Sequence, residues 1–156
     1  MTIKVELNEE KTKIVDLTSN QTFSFLGLDF RREKSRNGKM TIHKTPRIKS
    51  RKTLTTKLKA EFRRLRSQPI KRVLDQINPI LRGWVSYYRI GNSAKCFGYV
   101  KDWVEKKVRR HLMQARGYKG FWWTKWSRDK IYEMGLFNDY QIRYFKPLKV
   151  EPIHRP

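Results

Sequence analysis

The chain has 156 residues, 37 of them lysine or arginine and 14 acidic, for a formal net charge of +23. That length suits one domain with a real core, and that charge excludes an ordinary mixed-sign surface; it implies a polyanionic partner, nucleic acid ahead of an anionic membrane. A lone cysteine, Cys96, excludes an internal disulfide, no Cys/His group has zinc spacing, and no apolar run is long enough to cross a bilayer. With no signal peptide at its start, the chain is expected to be soluble and cytoplasmic, without a membrane partner. Aromatic residues make up 13% of it, which favours a folded basic domain over a disordered basic tail. The charge is uneven: residues 1–30 hold three basic and five acidic residues, residues 31–120 hold 27 and five, and residues 121–156 hold seven and four. The partner-facing surface is therefore expected in the middle block.

Ile3, Val5 and Leu7 alternate with polar residues, which is strand periodicity, and Asn8-Glu9-Glu10 turns the chain. Lys13–Leu17 reads as a second strand and Thr22–Arg31 as a third. The third is apolar on both faces through its middle, so cover on both sides is expected. Asn37-Gly38 is a two-residue turn signal between Phe30-Arg31-Arg32 and Met40-Thr41-Ile42, predicting a basic hairpin that ends at Thr45-Pro46.

Ser50 is a predicted N-cap for a first helix, whose stripe is Leu54, Leu58, Phe62 and Leu65. Lys52, Lys57, Lys59, Arg63, Arg64 and Arg66 crowd its remaining surface. Ser67-Gln68-Pro69 breaks that helix and opens the next. The second stripe runs Ile70, Val73, Leu74, Ile77, Leu81, Trp84, Val85 and Tyr88, with a kink expected at Pro79. Arg82 and Arg89, seven apart, share a side off that stripe. They face either phosphate or one of Asp75, Asp102 and Glu105.

Gly91-Asn92-Ser93 is expected to end the second helix and cap a third, whose stripe is Phe97, Val100, Val104, Val108 and Leu112, with Trp103 beside it and Lys101, Lys106, Lys107, Arg109 and Arg110 around it. Three amphipathic helices on short connections imply a small bundle. Phe121–Trp126 is aromatic and basic: a stacking surface for unpaired bases, or rings pinning the chain onto the bundle, the latter preferred for most of them. Trp84 and Trp103 are expected in the core. Ser127 is a predicted cap for a short helix to Met134, closed by Gly135. Tyr140–Tyr144 reads as a strand or extended arm, and an irregular proline-bearing tail comes after it.

Catalytic candidates are poor. His43, His111 and His154 are scattered, Asp16 and Asp29 form no recognisable metal pair, and no glycine-rich phosphate loop is present. No cofactor, metal or catalytic residue is expected. Between residues 31 and 120 acids are scarce among like charges that repel at helical spacing, an arrangement suited to a bound polyanion.

Asn78-Pro79-Ile80-Leu81-Arg82-Gly83-Trp84-Val85-Ser86-Tyr87-Tyr88-Arg89, followed by Trp103, resembles the maturase-specific (thumb, or X) domain of group II intron-encoded reverse transcriptases. Leu7–Val15 is similar to a segment late in the polymerase palm, and Phe25-Leu26-Gly27-Leu28-Asp29-Phe30 to the block where palm passes to thumb. Trp126-Ser127-Arg128 and Gly135–Tyr140 resemble the C-terminal region of bacterial members. The resemblance implies an α+β chain: palm-end strands and hairpin over 1–48, a three-helix thumb/maturase domain over 49–117, and an aromatic, basic segment and tail over 118–156. The family's metal-binding palm motif, a tyrosine, a variable residue and two aspartates, is absent, as is a Cys/His-rich endonuclease domain. The resemblance therefore implies a piece of a polymerase that is not an enzyme by itself, either truncated or one half of a split protein.

By the same resemblance the expected function is to bind group II intron RNA and assist its folding and splicing. The candidate RNA contacts are Lys52, Lys57, Lys59, Arg63, Arg64, Arg82, Arg89, Lys101, Lys106, Lys107, Arg109, Arg110 and Lys125. DNA, an RNA–DNA duplex, a separate reverse-transcriptase fragment and a second copy of the chain are the further partners considered. The alternatives are a thumb subunit completing a split reverse transcriptase and a general basic nucleic-acid-binding module.

Overall fold

A computed structural model describes residues 15–16 and 21–143. The strand expected at residues 3–7, most of the one at 13–17, and the tail lie outside the described residues. The elements run β1 (Phe23–Phe25), β2 (Leu28–Lys34), β3 (Met40–Pro46), α1 (Ile48–Arg64), α2 (Ile70–Tyr88), α3 (Ala94–Gln114) and α4 (Arg128–Glu133). The architecture is α+β: a three-stranded antiparallel sheet in the order β1-β2-β3, then three long helices and a short one.

The single strand expected over Thr22–Arg31 is a hairpin. Leu26 and Gly27 have φ of 47° and 77°, and Phe25 sits opposite Leu28. Two consecutive left-handed residues make a type I′ turn, the tight connection whose twist matches its strands. Phe25 and Leu26, expected to be covered, are exposed at its tip. The tip is held from outside: the Tyr87 hydroxyl donates to the Leu26 carbonyl at 2.8 Å, and the Arg47 amide donates to the Gly27 carbonyl at 2.9 Å. A Cβ at Gly27 would stand 2.5 Å from the Tyr88 hydroxyl, so glycine is required there twice over, by conformation and by space. The second hairpin turns at Asn37-Gly38, but not as the two-residue loop expected: the Ser35 amide donates to the Lys39 carbonyl at 2.7 Å, and Gly38, at φ 77°, donates its amide to the Ser35 carbonyl at 2.9 Å.

α1 begins at Ile48, earlier than the cap expected at Ser50. Ser50 instead donates its hydroxyl to the Gly27 carbonyl at 3.3 Å, tying the first turn of α1 to the hairpin tip. The three predicted stripes converge: Leu54, Leu58 and Phe62 of α1, Val73, Leu74, Ile77 and Leu81 of α2, and Val100, Val104, Val108 and Leu112 of α3 form one buried cluster. Each such side chain contributes about 1.5–3 kcal/mol by leaving water. Trp84 and Trp103 are half-buried against this cluster. α2 continues through Pro79 without a break. Pro79 is exposed, so water can solvate the Asp75 carbonyl left without its helical donor.

The loop between α2 and α3 docks on the sheet. The Asn92 amide donates to the Lys44 carbonyl at 2.8 Å, and the Asn92 side-chain oxygen accepts from the Lys44 amide at 3.2 Å. This pairs part of the outer edge of β3. Ser93 stands at the N-cap of α3 but makes no side-chain capping bond there, against expectation; its hydroxyl donates instead to the Tyr88 carbonyl at 2.7 Å and closes the end of α2.

The C-terminal segment is part of the same core, through Trp126, Ile131 and Leu136. Ser127 caps α4 as expected, accepting from the Lys130 amide, and Gly135 at φ 98° ends it. Asn78 clamps the chain as it leaves α4: its side-chain amide donates to the Gly135 carbonyl at 2.8 Å and its oxygen accepts from the Phe137 amide at 2.9 Å. Beyond this clamp, residues 140–143 form no strand; the Arg143 amide donates to the Arg89 carbonyl at 3.0 Å.

Candidate nucleic-acid interface

The Arg51 guanidinium lies over the Tyr99 ring at 4.2 Å, while Lys59 and Arg63, further along α1, lie beside Lys107, further along α3. α1 and α3 therefore run parallel and share one outer face. On it Lys59, Arg63 and Arg110 come near enough to Lys107 for their charges to act on its ammonium. Burial, then the charges of Arg110, Lys59 and Arg63, hold the Lys107 ammonium below the usual lysine range. That ammonium lies over the Trp103 ring, 5.3 Å from the centroid. The ion pairs found among the described residues use Arg31, His43, Arg47, Arg64, Arg89, Arg109 and Arg128, so none of this cluster is among them.

The remaining sequence candidates scatter. Lys57 lines a groove of about 630 Å³ between α1, α2 and the hairpin tip, together with Arg47 and Lys49. Lys52, Arg82 and Lys106 are exposed elsewhere on their helices. Lys101 lies over the Tyr132 ring at 5.3 Å, and Lys125 over the Trp122 ring at 4.9 Å. Arg64 is exposed but pairs with Glu61 one turn back.

Two candidates are committed inside the protein, against expectation. Arg109 is 1% exposed: its Nε donates to the Trp126 carbonyl at 2.8 Å, and a terminal nitrogen stands 3.5 Å from the Glu105 carboxylate. Arg89 is buried at the end of α2, donating to the Asp139 carboxylate at 2.6 Å and the Asp139 carbonyl at 3.1 Å. None of the partners considered for Arg89 is the one used. Asp102 and Glu105 belong to Arg128, at 2.7 and 2.8 Å, and Tyr132 donates to Glu105 at 2.6 Å. Burial works against the Glu105 carboxylate, but hydrogen bonds from Tyr132 and Arg128 and the charges of Arg128 and Arg109 outweigh it and hold its pKa low. These carboxylates lie on the α4 side of α3, which leaves the α1–α3 face cationic.

Sequence reasoning passes over Arg51, although it falls eight residues before Lys59 on the same helical side. The aromatic run also differs from expectation. Trp126 alone is buried, Phe121 is half-buried, and Trp122 and Trp123 are exposed.

Asp29, weighed as a metal carboxylate, accepts from the Ser24 hydroxyl and faces Arg47 at 3.4 Å. Among the described residues no group of three or more His, Cys, Asp or Glu stands close enough to hold a metal ion, and no helix is long and apolar enough to cross a membrane. The Cys96 thiol, half-buried in the first turn of α3, is pushed up by burial despite the neighbouring Arg51. No curated protein matches the chain. A family model described as the maturase-specific domain of group II introns matches residues 51–131, from the first turn of α1 into α4.

Proposed function

The chain belongs to the group II intron maturase-specific domain family, and on that premise we propose that it binds group II intron RNA through the outer face of α1 and α3 and assists the RNA's folding for splicing. What supports this is the grouping of Lys59, Arg63, Lys107 and Arg110 along α1 and α3, with none of the four in an ion pair found among the described residues. Such a cluster is unfavourable in the free protein and becomes favourable when phosphates sit among the four cations. The splicing chemistry stays with the RNA; the protein's part is electrostatic and architectural.

Filter binding or fluorescence anisotropy with a folded intron RNA, across a salt series, tests the reading. Affinity should fall log-linearly with salt. The K59A/R63A/K107A variant should flatten the slope by about two to three, at roughly 0.7–0.9 for each phosphate left without its cation. A slope shared by wild type and variant would sink this face as the interface. Equal competition by duplex DNA would favour the general basic module.

A second reading has its own observation. Phe25, Met40 and Ile42 fall on one face of the sheet by register, and all three are exposed. A face of that kind suits a protein partner, which fits a thumb subunit joining a separate palm fragment. Restored primer extension on mixing the two would support it, and failure to associate would remove it.

A further inference from the structure

The end of α3 builds a second feature beside the cationic cluster. Gly117, at φ 73°, stops the helix, and the Tyr118 amide donates back to the Met113 carbonyl at 3.1 Å, which fixes where the tyrosine leaves the helix. Tyr118 stacks on Trp122, with centroids 5.5 Å apart and planes 20° from parallel. Trp122 itself has φ 37°, a conformation that L side chains seldom adopt, and its carbonyl accepts from the Trp126 amide at 3.0 Å. The loop thus presents a pre-formed aromatic pair, Tyr118 54% and Trp122 48% exposed. Next to it lies a concavity of about 260 Å³ lined by Arg110, Gln114, Tyr118, Lys119 and Gly120. Gly120, at φ 105°, leaves its side open: a Cβ there would meet nothing within 4 Å.

The lining has three chemistries that together fit one ligand. Tyr118 offers a ring for stacking. Gln114 offers an amide that can donate and accept at once. Arg110 and Lys119 offer positive charge, in a stretch from Lys106 to Arg128 that contains no acidic residue. We propose that this concavity holds one unpaired ribonucleotide of the bound RNA. Its base stacks on Tyr118 and extends the Tyr118–Trp122 pair, Gln114 hydrogen-bonds the base edge, and Arg110 and Lys119 meet the flanking phosphates. The inference rests on the RNA-binding reading above and shares Arg110 with that cluster. It makes the site a junction, where duplex lies along α1 and α3 and a single-stranded nucleotide turns into the loop.

The test compares an RNA hairpin carrying 2-aminopurine in its loop with a blunt duplex of the same stem. Wild type should bind the hairpin tighter by about 5- to 150-fold, the range of one stacked base, and should quench the 2-aminopurine. Y118A should abolish both the preference and the quench, while Y118F, which keeps the ring, restores them. Tyr118 is exposed, so circular dichroism should show all three proteins equally folded. A Y118A protein that keeps preference and quench overturns the nucleotide site, as does a wild type that binds hairpin and duplex equally. A wild type that binds neither RNA overturns the RNA-binding reading as well.

Discussion

At the scale of residues, the fold depends on side chains that replace backbone. Asn78 bonds both the Gly135 carbonyl and the Phe137 amide, acting as a strand partner would. Gly27 lets the hairpin tip sit under Tyr88. G27A should cost about 1–2 kcal/mol for the left-handed conformation alone, and more because Tyr88 must move. The Y88F change removes the hydroxyl that a Cβ would strike, so in urea unfolding G27A should be milder in the Y88F background than in wild type. Equal costs in the two backgrounds would show that the close approach is not what matters. Neither Asn78 nor Gly27 is legible from the sequence in these roles. A stripe such as Leu54–Leu58–Phe62 repeats and so announces itself, whereas Asn78 meets a partner 57 residues away and Arg89 one 50 residues away, with no local pattern to mark either.

At the scale of elements, the three long helices obey their periodicity, and the capped α4 obeys Ser127 and Gly135. The first hairpin does not announce itself, because Leu26-Gly27 lacks the Asn or Asp that usually precedes glycine in a type I′ turn. Tertiary hydrogen bonds from Tyr87, Arg47 and Ser50 hold it instead. The seam between α3 and α4 is half legible: Glu105 and Arg109 are four apart, an ion-pair spacing, but Arg128 and Tyr132 arrive from another element. Because the Glu105 pKa is depressed in the folded chain, its contribution is present above the unfolded value of about 4.3 and is lost as pH falls through the lower folded value. E105Q should therefore cost about 3 kcal/mol at neutral pH, the scale of a broken buried pair, and progressively less in acid. Urea unfolding at neutral and acidic pH measures the difference. A gap between wild type and E105Q that stays constant with pH would mean the carboxylate's charge is not what holds the seam.

At the scale of the molecule, a net charge of +23 sets two salt effects against each other. In the free protein the Lys59–Arg63–Lys107–Arg110 cluster and the general excess of cations repel one another across distances comparable to the Debye length, about 10 Å at 0.1 M salt. Added salt screens that repulsion, so the melting temperature of the free protein should rise between about 50 and 200 mM salt. Over the same range salt restores counterions to the RNA, and affinity should fall by about 10³–10⁵-fold if six to ten phosphates are engaged. Bound RNA in turn raises the melting temperature by mass action, most strongly at low salt, where binding is tightest. The two melting curves, with and without RNA, should therefore converge as salt increases, the free one climbing and the bound one descending. Thermal melts of both samples over a salt series check this directly. A free protein whose stability ignores salt would mean its cations are already neutralised locally by its own carboxylates, and the α1–α3 face would lose the electrostatic reason for receiving phosphates.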